Sequence, residues 1–151
     1  MNNSQEKNKG WTDFQLKDYV FTELSFNIHS KNFSDSKEEP ANLLFDTKTR
    51  LFENDDKVDR GEVTLSVGIN VDEARKGKAA FDMTAIMSGL FTTSEKIPRA
   101  EMERKLKSDG LTAMFPFLRS AIAELGRMTN EKRLPTLILP LVDVSAFVDD
   151  E

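Results

Sequence analysis

Apolar and polar residues alternate most cleanly between positions 63 and 71, where Val63, Leu65, Val67, Ile69 and Val71 interleave with Thr64, Ser66, Gly68 and Asn70. A period of two puts every second side chain on one face, so the segment is predicted to be a strand with one dry side. Residues 72–78 (DEARKGK) reverse the chain, and 79–93 (AAFDMTAIMSGLFTT) return with Phe81, Met83, Ala85 and Met87 in phase. These two strands are predicted to pair as a hairpin. Gly89 has no side chain to pack and marks an expected bulge or bend near the end of the second. Upstream, 14–28 (FQLKDYVFTELSFNI) sets Leu24, Phe26 and Ile28 against Glu23, Ser25 and Asn27, which is again a strand with one dry face. Residues 42–52 (NLLFDTKTRLF) read as a further strand, preceded by a loop at 29–41 and followed by a charged turn at 53–61.

After Ile97 and Pro98 the period changes. Residues 101–107 (EMERKLK) are helical by composition, and Asp109 with Gly110 is placed to interrupt them. Leu111, Met114, Phe115, Leu118, Ala121, Ile122 and Leu125 then recur at helical spacing, giving a strongly amphipathic helix. Pro116 either occupies the first turn of a helix that starts near Met114 or kinks a longer one. Gly126, Thr129 and Asn130 end the helix, and 134–147 (LPTLILPLVDVSAF) runs extended, with Pro135 and Pro140 excluding it from a central strand. Four strands, one long helix and an apolar extended segment make an α+β protein with an antiparallel sheet. A single helix leaves apolar sheet surface uncovered, so the last segment is expected to fold back or another subunit to cover it. An oligomer is expected.

Composition narrows the chemistry. The 151 residues suit one domain, expected over 13–151 behind a disordered polar tail at 1–12. Leu, Ile, Val and Phe make up about a quarter of the chain, above the level typical of disorder. No apolar run reaches membrane-span length and the first ten residues lack a secretory signal, so a cytoplasmic protein is expected. There is no cysteine and the single histidine is His29, which excludes thiol catalysis, thiolate metal sites and His-pair metal sites. With a net charge of −5 the chain has no global attraction to nucleic acid or anionic lipid. His29 reads as a surface histidine with no base partner, the carboxylates of 53–59 as a solvated turn rather than a calcium loop, and 104–107 (RKLK) as a wet helix face. Neither an enzyme, a cofactor nor a metal is expected.

The helix core Met114-Phe115-Pro116-Phe117-Leu118-Arg119, followed by Ile122 and Leu125, and then the run from Pro135 to Val144 (PTLILPLVDV), resembles the SecB export chaperones. That family has a Phe-Pro-aromatic-x-Arg turn in its helix and a crossover with paired prolines and alternating leucines. Residues 19–27 (YVFTELSFN) resemble its first strand and 63–94 its long hairpin. The likeness covers roughly residues 14 to 147. It implies a four-stranded antiparallel sheet with the long helix packed on one face and an extended apolar crossover after it, assembled as a dimer of dimers with the helices between sheets. It also implies a holdase, which keeps non-native polypeptides in apolar grooves. By position, Leu43, Phe45 and Phe81 match groove-lining strand residues, and Leu137, Leu139, Leu141 and Val142 match the crossover. Leu111, Met114, Phe115, Leu118, Ile122 and Leu125 are expected at the oligomer interface. Glu23 matches one acidic position of the face on which the family docks SecA, while Asn27 and Thr84 stand where the family carries carboxylates. The family's second helix has no counterpart before Glu151. This pattern also fits an alternative, a dedicated interaction protein such as an antitoxin-type or phage-encoded single-client chaperone.

Overall fold

The computed structural model describes residues 13–29 and 42–130. Strand β1 runs over Gln15–Ile28, β2 over Leu43–Arg50, β3 over Lys57–Ile69 and β4 over Phe81–Pro98. They form one antiparallel sheet in the order β1-β4-β3-β2. The expected hairpin is its centre, with Val63, Leu65, Val67 and Ile69 opposite Gly89, Met87, Ala85 and Met83 on a single buried face. Both central strands are longer than their alternation predicted. Strand β3 begins at Lys57, inside the expected turn, and β4 continues to Pro98. The Arg99 amide donates to the Asp56 carbonyl at 3.2 Å and the Arg99 guanidinium to that of Glu53, which ties the 53–56 turn to the end of β4.

Helix α1 (Arg99–Lys105), a π-helical turn (Leu106–Gly110) and helix α2 (Leu111–Met128) follow without a break. The predicted interruption at Asp109 and Gly110 is therefore a widened turn rather than a stop. Pro116 lies inside α2, which continues past it to Met128. One face of this helical run buries Met102, Leu106, Leu111, Met114, Leu118 and Ile122 against the sheet. Close approach needs small residues. A Cβ on Gly89 would stand 3.0 Å from Met114 Sδ, and one on Gly110 would stand 3.1 Å from Val63 Cγ2. Gly89 thus admits the helix, and besides those in β1 the register irregularity falls a few residues further along β4, where residues 93–96 stand opposite the single step from Val58 to Arg60.

Strand β1 departs most from expectation. It is an edge strand with irregularities between Leu16 and Asp18 and between Phe21 and Glu23. Its anticipated dry face is only partly dry: Phe26 is half-buried, but Leu24 is 43% and Ile28 47% exposed. Only β4 flanks β1 among the described residues, so side chains near its free edge keep water on one side.

Candidate functional site

The helix-facing side of the sheet has a covered middle and two less covered flanks. Over the centre, α2 seals Leu65, Val67, Ala85 and Met87. On the β2 flank, Leu43 and Phe45 remain half-buried, and the Phe45 ring faces that of Phe115 at 6.1 Å between centroids. On the β1 flank, exposed Tyr19 packs against exposed Phe117 at 4.6 Å, with Leu24 and Ile28 further along the strand. These positions follow from register: Phe45 is opposite Val67, Val67 opposite Ala85, and Ala85 opposite Leu24, so one row of side chains crosses the whole sheet.

Phe81 differs from the other two strand positions matched by resemblance. It is only 2% exposed, stacked on Phe26 with ring centroids 5.4 Å apart and planes 8° from parallel. Leu43, Phe45 and Phe81 share the helix-facing side, where Leu43 and Phe45 are half-buried and Phe81 is buried. Leu137, Leu139, Leu141 and Val142 lie outside the described residues.

The helix residues expected at a subunit interface are placed inside the chain itself. Leu111, Met114, Phe115, Leu118 and Ile122 are buried and Leu125 packs against the same core. The solvent side of α2 presents Phe117 and Met128.

The other face of the sheet is polar, with Thr64, Ser66, Thr84 and Ser88 at its centre and a hydrogen bond at 3.0 Å between the Thr64 and Ser88 hydroxyls. Glu23 is exposed on this face opposite Ile86, and the Ser25 hydroxyl reaches its carboxylate at 3.5 Å. Asn27 is turned to another task, which the sequence did not announce. Its side-chain amide donates to Asp82 Oδ1 at 3.0 Å, and His29 Nε2 lies 2.6 Å from Asp82 Oδ2. Burial pushes the Asp82 carboxyl up, but the hydrogen bonds from Asn27 and His29 and the charge of His29 outweigh it and hold the group below the usual carboxylate range. His29 therefore has the carboxylate partner that the sequence reading denied it. His29 and Asn27 stand 53 and 55 positions from Asp82 in sequence, beyond any local pattern, and only the β1–β4 register brings them together. Among the described residues, no three His, Cys, Asp or Glu side chains gather as a metal would require.

The profile of the preprotein translocase subunit SecB matches residues 5–150. The chain belongs to the SecB family. A solved structure with the same fold is the SecB-like chaperone of Mycobacterium tuberculosis, in complex with a ChAD peptide from the HigA1 antitoxin. It superposes with a TM-score of 0.62 at 14% identity, over 85% of this chain and 90% of that one. No curated protein matches the chain. Family and neighbour together support a chaperone-type role for this α+β, SecB-like fold. No described helix is long and apolar enough to cross a membrane.

Proposed function

We propose that the protein is a holdase that binds extended, non-native polypeptide segments along the apolar flanks of α2. The observation that carries this reading is the β2 flank, where half-buried Leu43 and Phe45 form an aliphatic and aromatic strip, Phe45 facing the buried ring of Phe115, beside a sealed core. Unfolded chains share exposed apolar side chains, and a strip that offers contact without a set of polar anchors accepts many of them. In this reading Leu137, Leu139, Leu141 and Val142 supply the outer wall of the groove, and Phe81 contributes from its floor.

Self-association as a dimer of dimers belongs to the same proposal. The exposed Tyr19–Phe117 pair, with Leu24 and Ile28 on the β1 edge, offers the apolar surface a second copy would cover. Leu111, Met114, Leu118, Ile122 and Leu125 act from beneath, by fixing α2 on the sheet that presents this surface. On the polar face, Glu23 alone is thin ground for docking SecA, with Asn27 engaged by Asp82 and Thr84 uncharged. The protein therefore holds cargo in the cytoplasm without coupling to export. A dedicated single-client chaperone is the second reading, favoured by the antitoxin peptide held by the mycobacterial neighbour.

Native mass spectrometry of the full chain, alone and with reduced, carboxymethylated α-lactalbumin, tests both. A tetramer that gains the mass of the unfolded polypeptide supports the general holdase. An oligomer that ignores it removes that reading and leaves the dedicated one.

A further inference from the structure

Phe81 is assigned to cargo above, yet it is shut in. Its ring is covered by that of Phe26, which belongs to the last residues of an edge strand. We propose that the end of β1, from Phe26 to His29, is a latched cover over Phe81, held closed at Asp82 on the opposite face of the sheet, and that cargo reaches the ring when the latch releases. The inference rests on the reading of Phe81 as a cargo contact.

Alternation along the strand separates the cover from its latch. Phe26 and Ile28 project to the helix-facing side, whereas Asn27 and His29 project to the polar side, where both meet Asp82. Beyond the ladder that pairs β1 with β4 up to Ile28, the backbone adds a terminal bond from the His29 amide to the Ala80 carbonyl at 2.7 Å. This end is the terminus of an edge strand, held on one side only among the described residues by its ladder to β4, and Ile28 is nearly half exposed, so lifting it sacrifices little burial. The other side of Phe81 is fixed independently. The Asn70 side chain donates to the Phe81 carbonyl at 3.0 Å and accepts from the Asn42 amide at 3.1 Å. Opening therefore moves β1 and leaves Phe81 anchored to β3 and β2. Asp82 is a positioning residue in this scheme: it touches no cargo and acts by setting the fraction of time that Phe81 is uncovered.

Hydrogen exchange by mass spectrometry on the full chain, followed by titration with reduced, carboxymethylated α-lactalbumin, tests the proposal. In Asp82→Ala, amides of residues 24–29 are expected to exchange at least about tenfold faster while those of β3 keep their rate. Affinity for the unfolded polypeptide is expected to rise by about threefold or more, because apparent affinity scales with the competent fraction. Adding Phe81→Ser should remove that gain. Unchanged exchange over 24–29 overturns the latch whatever the binding shows. Faster exchange with unchanged affinity, or a gain that survives Phe81→Ser, overturns the link to cargo. Should Asp82→Ala loosen β3 as well, Phe26→Ala uncovers the ring without touching the latch, and weaker or equal binding by that variant refutes the proposal. A chain that ignores the polypeptide in every form, yet shows the local exchange, points to failure of the holdase reading itself.

Discussion

Asp82 carries more of this structure than its place in the sequence suggests. Its carboxylate is nearly buried and bound by Asn27 and His29, and its protonation equilibrium is displaced toward the charged form. A carboxyl whose folded value lies below its unfolded one stabilises the fold above the unfolded value. That contribution fades as the pH drops below roughly 4 and is gone once it passes the lower value of the folded state. Wild type should therefore lose more stability than Asp82→Asn on going from neutral pH to acid, as read from urea midpoints across that range. Equal losses would mean that the pair contributes nothing. At neutral pH the Asn variant should be weaker by about 1–2 kcal/mol, the scale of a hydrogen bond to a charged group in a partly wet site. Gly110 poses the opposite case, a residue defined by what it lacks. Val at this position would press on Val63 and Phe91, and should cost about 1–3 kcal/mol by overpacking. An undiminished urea midpoint would show that α2 can back away from the sheet.

At the scale of elements, the helical run was legible and its junction was not. The heptad-like recurrence from Leu111 to Leu125 identifies α2 because a helix packed on a sheet must repeat its apolar residues near every 3.6 positions. Asp109 and Gly110 look like a stop because both are poor helix formers. The chain instead absorbs them in a π turn, which brings Leu106 and Leu111 to the same side, where regular α geometry would leave them about 140° apart. Deleting Ser108 should restore an ordinary α-helix with both leucines still facing the sheet, and stability should stay within about 1 kcal/mol. Deleting Ala121, in the regular part, should swing Ile122 and Leu125 off the core and cost more than about 3 kcal/mol. Thermal unfolding followed by circular dichroism separates the two, and similar losses would rule out this account of the turn. Strand β1 misled for a related reason. Alternation shows which side chains share a face, but the irregularities near Lys17 and Thr22 and the exposure of an edge depend on neighbours that the pattern does not contain.

At the scale of the whole molecule, the decisive quantity is how much apolar surface one copy can hide. Leu118 lies fully inside one chain, so Leu118→Asp is expected to unfold the protomer, through a buried unpaired charge costing several kcal/mol. Phe117→Asp, on the solvent side, should instead leave the circular dichroism spectrum intact and lower the mass seen by light scattering. An unchanged mass would remove the β1–α2 flank from the proposed interface.

The sequence by itself determined the class of fold, the central hairpin and the buried face of α2, because periodicity is a local consequence of how strands and helices repeat. It also carried the likeness to SecB in the Phe-Pro-Phe turn and the run after it. Tertiary structure alone decided that Phe81 is covered, that His29 and Asp82 meet, and that the expected interface residues are spent in the chain's own core. Each of these depends on which distant segment lies opposite, a matter of strand register and helix placement. No window of sequence contains both partners.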